Sequence, residues 1–334
     1  MLVRARAPLR IDLAGGWTDV APYAARRGGA VVNVAISRHA CAMVRPGGTG
    51  IRLSALDLGA VVAARRADEL RADGELALLK AVARRYVTGP AEIVTRSTAP
   101  AGSGLGGSGA MGVALVAALF ALKGDRRLPA EIAAEAFDVE TRDAGVLGGK
   151  QDQYAAALGG VQLLSFGDPD VGATRLDVPE AALHELETCL VLCYTGATRF
   201  SSDTHARVWD AWHRGEAGVA KALDGLKACA LAMREALVRG ALADVGAVLS
   251  ENWRCQQALA DGMQTSVMAR LEEVAAGAGA IGAKACGAGA GGCLVFLART
   301  GAEADVAHAV EAAGGTVLPF TFDARGVVAW RAGE

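Results

Sequence analysis

Apolar and polar residues alternate over Leu2–Arg6, the period of a half-buried strand, and Pro8–Leu13 continues as a second short extended piece. Ala30–Ile36 and His39–Val44 read as paired strands and Ile51–Ala55 as another. A mostly helical stretch is predicted over Asp68–Val87, with Pro22–Arg27 as a short helix before it. Glu92–Thr98 reads as a strand. Ala110–Leu122 is almost wholly apolar and free of proline, which predicts a buried helix. Helices follow over Pro129–Thr141 and Lys150–Leu158, the first opened by a proline at a favourable first-turn position. Val161–Ser165 is a further strand.

A domain boundary is expected in Gly167–Gly172, dividing the chain into residues 1–168 and 169–334. Beyond it, Glu187–Tyr194 reads as a buried strand, Thr204–Arg239 as one or two helices, and Ala241–Met263 and Thr265–Gly277 as helices. Ala280–Cys286 and Gly292–Ala298 form a strand pair around a glycine run. Ala302–Ala313 is a helix, Thr316–Thr321 a strand and Val327–Trp330 a candidate last strand. The mixture implies an α+β fold, with helices covering antiparallel-rich sheets.

Composition narrows the function. Of 334 residues 52% are hydrophobic and 21% charged, enough for large cores, and the net charge of -2 gives no basic surplus for nucleic acid or anionic lipid. Seven cysteines form no CxxC pair and the histidines show no zinc spacing, which predicts reduced thiols in a cytoplasmic protein. Met1–Arg6 lacks the apolar core of a signal peptide, and the longest apolar run is too short to span a bilayer.

The candidate chemistry centres on Pro100-Ala-Gly-Ser-Gly-Leu-Gly-Gly-Ser108, a glycine-rich turn between a strand and a helix start. Such a turn lets the backbone approach an anion, and unpaired helix N–H groups point at it. Gly102, Gly104 and Gly107 fit the dinucleotide pattern, but the expected acid on a second strand is lacking, since Asp125 falls in a loop. No Lys-Ser or Lys-Thr completes a Walker A motif. Two further glycine-rich islands, residues 14–19 and 287–292, suggest walls of one phosphate-bearing cleft. Glu140 and Asp152 lie twelve positions apart on two predicted helices, so that one carboxylate could hold Mg²⁺ and the other accept a hydroxyl proton. Arg199 and Lys150 are candidates for a second anion on the substrate, and Trp17 could stack on a sugar face.

These stretches resemble the GHMP family of small-molecule kinases. Pro100–Ser108 resembles its ATP-phosphate loop, Ala7-Pro-Leu-Arg-Ile-Asp-Leu-Ala-Gly-Gly-Trp-Thr-Asp19 its first motif in sugar kinases, and Lys284–Gly292 its third. The order is right and the likeness covers essentially the whole chain. Gly149–Gly160 and Tyr194–Ser201 look most like the heptose-phosphate kinases and the kinase part of fucokinases.

The resemblance implies the GHMP kinase fold: an N-terminal ribosomal-protein-S5-domain-2-like domain and a C-terminal ferredoxin-like domain, with ATP and Mg²⁺ in the cleft between. It implies that Asp152 takes the proton from the anomeric hydroxyl, and that Arg10 stands by it and the transferred phosphoryl. Pro100, Gly102, Ser103, Gly104, Leu105, Gly106, Gly107 and Ser108 would wrap the nucleotide phosphates, and Ser108 and Glu140 would ligate Mg²⁺. Asp19 would bind sugar hydroxyls, with Gly16, Trp17, Thr18, Lys150, Gln151, Thr195 and Arg199 completing the acceptor side. Gly287, Ala288 and Gly289 would close the cleft.

Gly109, Ala290 and Ala14 depart from the family's pattern, Gly109 in a way that loosens the helix start. The expected activity is phosphorylation of a heptose 7-phosphate at C1. The alternatives are a fucokinase-type enzyme acting on an unphosphorylated sugar, and a catalytically silent sensor of sugar and ATP. The expected partner is a small sugar or sugar phosphate, with neither nucleic acid nor membrane, and a homodimer is left open.

Overall fold

The computed structural model describes residues 1–167, 170–197 and 201–333. In chain order the first half runs β1 (Leu2–Ala14), α1 (Ala21–Arg27), β2 (Gly29–Pro46), β3 (Ile51–Ala55), β4 (Ala60–Ala64), α2 (Ala77–Tyr86), β5 (Ala91–Ser97), α3 (Gly107–Lys123), α4 (Pro129–Asp138), α5 (Gln151–Leu158), β6 (Val161–Phe166) and β7 (Val171–Arg175). Then come α6 (Glu180–Cys189), β8 (Leu190–Tyr194), α7 (Ser201–His213), α8 (Ala217–Val238), α9 (Leu242–Gln257) and α10 (Ser266–Gly277). The chain closes with β9 (Ala280–Ala285), β10 (Cys293–Ala298), α11 (Glu303–Ala312), β11 (Thr316–Val317) and β12 (Val328–Ala332).

The first sheet has eight strands in the order β12-β1-β2-β5-β3-β4, with β6 on β2 and β7 on β6. Every pairing is antiparallel except β3 with β5. The sheet therefore also takes strands from beyond residue 168. The second sheet, β11-β8-β10-β9, is antiparallel throughout. Its order, fourth-first-third-second along the chain, is that of a ferredoxin-like split β-α-β-β-α-β unit.

Helix α3 is apolar on all sides, and Gly109–Leu119 are all buried. It lies against β1 and β2 with α4 and α5 beside it. That packing fixes the glycine turn at its N-terminus relative to the first strand.

Several elements differ from the sequence reading. Leu2–Ala14 is one strand, and the register slips between Pro8 and Leu9, where the proline brings no N–H to the ladder. Gly29–Pro46 is likewise continuous, so the two expected strands are not paired with each other. Ile36–His39 holds no glycine, proline or asparagine to turn a hairpin, and each half finds β1 on one side and β6 or β5 on the other. The helix expected from Asp68 begins at Ala77, because Gly74 and Leu76 hold left-handed backbone (φ 55° and 57°). Glu187–Cys189 belong to α6, and the strand starts at Leu190. Thr316–Thr321 keeps strand pairing only at Thr316–Val317. Thr204–Arg239 is two helices, broken around Gly215.

Candidate active site

The three glycine-rich islands meet. The first follows β1, the second precedes α3 and the third joins β9 to β10. Backbone bonds tie the second island to the strands that carry the other two: Arg10 N–H of β1 donates to Leu105 O (3.0 Å) and Cys293 N–H of β10 to Ser103 O (2.8 Å). Gly104 and Gly287 pass so closely that a Cβ on Gly287 would lie 2.7 Å from the Gly104 Cα. Together they border a cleft of about 480 Å³.

Arg10 is the hub. Its Nε and Nη2 both reach Asp152 Oδ1, at 2.8 and 2.7 Å, while Nη1 donates to Gly104 O (2.6 Å) and Cys286 O (3.0 Å). One planar fork thus touches the phosphate-type loop, the third glycine loop and the first turn of α5. A guanidinium can do this and an ammonium cannot, because its donors diverge in fixed directions. Burial disfavours the Arg10 charge, but Asp152 and Asp12 outweigh it and hold the group above its usual range. The side chain of Asp152 stays 26% exposed, so its carboxylate borders the cleft rather than the core.

Two more carboxylates are buried around it. Glu140 sits where α4 gives way to a wide π-turn, Val139–Asp143. Such turns displace a helical side chain from its regular direction. Burial raises the Glu140 carboxyl, against hydrogen bonds from Ser108 and Gln153. The Ser108 hydroxyl and the Glu140 carboxylate are hard oxygen donors of the kind that divalent cations take. Asp19 accepts from Gln151 N–H (3.0 Å), and burial pushes its pKa up to about 6. Beneath the cleft, Lys284 Nζ binds both Asp12 Oδ2 (3.1 Å) and Asp12 O (2.6 Å), with neither side chain appreciably exposed.

The cleft is bordered by Arg10, Asp152, Pro100, Gly102, Ser103, Gly104, Gly106, Gly107, Ser108 and Glu140. Gly16, Trp17, Asp19, Gln151, Gly287 and Ala288 border it too. Other expected site residues do not border it. Leu105 is core. The Thr18 hydroxyl is fully buried and bonded to Gly15 O and Ala30 O, and Thr195 donates to Gly292 O. Gly289 packs on Met263, and Lys150 stands over the Phe137 ring (5.6 Å). Arg199 lies outside the described residues. Trp17 is buried with its ring stacked on His205, so that face is not open for a sugar.

Gly109 does more than loosen the helix start: a Cβ there would stand 2.6 Å from the Asp152 Cβ, so its bareness lets α5 approach α3. Other residues contribute beyond those the sequence singles out. Gln153 holds Glu140. Asn252 Oδ1 accepts from Gly15 N–H (2.8 Å) and Gln256 Nε2 donates to Gly287 O (2.7 Å), so one helix, α9, steadies two of the three islands. Asp12 and Lys284 stood inside recognised motifs, and a polar residue between Ile11 and Leu13 was the available signal. His205, Asn252 and Gln256 gave none.

Comparison with known proteins gives the family of the chain. Residues 75–160 match the GHMP kinases N terminal domain and residues 233–316 the GHMP kinases C terminal domain. The chain is 30% identical to the D-glycero-alpha-D-manno-heptose 7-phosphate kinase of Campylobacter jejuni, over 98% of this chain and 99% of that one. It is 29% identical to the L-fucokinase/L-fucose-1-P guanylyltransferase of Bacteroides fragilis, over 89% of this chain but 35% of that longer protein. Among solved structures, a D-glycero-D-manno-heptose 1-phosphate kinase from Bacteroides thetaiotaomicron superposes with a TM-score of 0.81 at 30% identity, covering 99% of this chain and 100% of the other.

Proposed function

The chain belongs to the GHMP kinases, and from that premise we propose that it is an ATP-dependent sugar kinase acting on the anomeric hydroxyl of a heptose 7-phosphate to give the 1,7-bisphosphate. The observation that carries this reading is the Arg10 fork, which ties Asp152 to the Gly104 and Cys286 carbonyls at the floor of one cleft. The heptose follows from two relatives whose names specify it, each aligned over nearly the whole of both chains.

In this reading the first turn of α3 receives the nucleotide phosphates. The initial N–H groups of a helix have no intrahelical partner, and among the described residues no side chain caps this one. Ser108 and Glu140 fit Mg²⁺: both offer oxygen, and the hydrogen-bond partners of Glu140 are neutral, so an added cation would compensate its buried charge. The ion would supply a Lewis acid that offsets charge on the phosphates.

Asp152 accepts the proton of the acceptor hydroxyl. Arg10 keeps Asp152 oriented through two donors and contributes fixed positive charge where the phosphoryl oxygens gather charge. Asp19, aimed by Gln151, orients sugar hydroxyls. Arg199 and Lys150 remain our candidates for the distal phosphate.

The test is ADP release with ATP, Mg²⁺ and a panel of acceptors. Heptose 7-phosphate should exceed free hexoses and 6-deoxyhexoses in kcat/KM. A preference for L-fucose would install the fucokinase reading, which the second relative supports. No release from any sugar, with nucleotide binding intact, would mark a silent sensor.

A further inference from the structure

The Trp17–His205 pair on the cleft wall is not accounted for by the roles above. Trp17 holds left-handed backbone (φ 78°), an uncommon conformation for a bulky residue and one that persists only where the surroundings impose it. Its ring stacks on His205 with centroids 4.3 Å apart and planes 27° from parallel. Trp17 is 5% exposed, and its Nε1–H has no acceptor among the described residues. A buried donor left without a protein partner at a cleft wall is what a ligand oxygen would complete.

The His205 tautomer follows from its other neighbour. Trp209 Nε1 lies 3.4 Å from His205 Nδ1, and an indole nitrogen can only donate. Nδ1 is therefore the acceptor, and the proton of the neutral ring sits on Nε2. Burial lowers the imidazole pKa to about 4, against the opposing pull of Asp152, so the ring is uncharged near pH 7. Trp17 and Trp209 hold it from two sides, and both His205 and Asp152 border the same cleft.

We propose that His205 is a specificity-determining residue whose Nε2–H donates to a hydroxyl or ring oxygen of the acceptor sugar, with Trp17 Nε1–H as a second donor beside it. An uncharged ring suits a neutral oxygen; a phosphate dianion would call for a cation, as Arg or Lys supplies. This assignment rests on the sugar-kinase reading, because it places the acceptor between His205 and Asp152.

The experiment compares wild type, His205→Phe and His205→Gln. Phenylalanine keeps the stack on Trp17 and removes the donor, whereas glutamine restores an N–H near the Nε2 position. Each is assayed with the sugar that wild type phosphorylates and with its monodeoxy analogues. For His205→Phe the expected result is about a 10- to 100-fold loss in kcat/KM, carried by the KM for sugar, with the KM for ATP within about twofold of wild type. His205→Gln should recover much of that loss. One monodeoxy analogue should already be weak with wild type and insensitive to His205→Phe.

Equal losses across all analogues, or a parallel rise in the KM for ATP, would overturn the assignment, as would no loss at all. Matched thermal melts guard against a folding defect, and His205→Gln carries the test if His205→Phe does not fold. Wild type inactive on every sugar would overturn the kinase reading and this assignment with it. Wild type active on a sugar but lacking the analogue coupling would overturn only the assignment.

Discussion

Arg10→Met should damage stability and turnover together, on a scale set by the contacts of its guanidinium. The guanidinium is nearly buried and makes two contacts to Asp152 and one to each of two carbonyls. Removing one partner of a buried ion pair costs roughly 3–5 kcal/mol, because the other charge is stranded. Asp152 is partly wet, which places the loss near the lower end, about 3 kcal/mol. At about 2 °C or less per kcal/mol for a chain of this size, the melting temperature should fall by about 4–6 °C.

Loss of the fixed charge at the phosphoryl position should lower kcat by about 10³-fold, the low end for an arginine in phosphoryl transfer. Asp152→Asn alone should destabilise less. In the double variant no charge is stranded, so its loss should fall short of the sum of the single losses by about 1–2 kcal/mol. Urea unfolding of the four proteins measures this coupling. Losses that add to within about 0.5 kcal/mol would refute the reasoning, since residues in contact are expected to couple and independent ones to add.

Two further outcomes are expected. Gly109→Ala should gain up to about 1 kcal/mol from helix propensity alone; because the new Cβ would meet Asp152 at 2.6 Å, we expect instead a lower melting temperature and reduced kcat, and a stabilised, fully active variant would refute the contact. The folded pKa of Asp19, about 6, lies above its ordinary value of 3.8, so the folded state binds this proton more tightly than the unfolded chain. Its contribution to stability is present below about pH 4 and is lost as pH rises through 6. The melting temperature of wild type should therefore fall relative to Asp19→Asn between those limits, and a constant difference across pH would contradict the burial argument.

The glycine turn feeding an apolar helix was legible in the sequence because both signals are local: bare residues at a helix start and thirteen positions with scarcely a polar side chain. Arg10, Asp152 and Glu140, and their meeting in one cleft, were legible through motif likeness; the contacts that bring them together were not, since these depend on α3 packing against both β1 and α5. Strand continuity over Gly29–Pro46 was hidden because alternation looks the same whether a strand runs on or folds back. His205 and Asn252 left no trace because each acts only where α7 or α9 crosses the first glycine island, a contact between residues about 190 and 240 positions apart. The packing role of Gly109 was not legible because the residue it meets, Asp152, lies on another helix.

The central claim is that Asp152 serves phosphoryl transfer from a nucleotide held at the start of α3. Rapid-quench single turnover with γ-labelled ATP and heptose 7-phosphate, run on wild type and Asp152→Asn with nucleotide affinity measured alongside, tests it most directly. The account predicts a fall in transfer rate of at least about 10³-fold with ATP affinity within a few-fold of wild type. Transfer by Asp152→Asn at near the wild-type rate would contradict it.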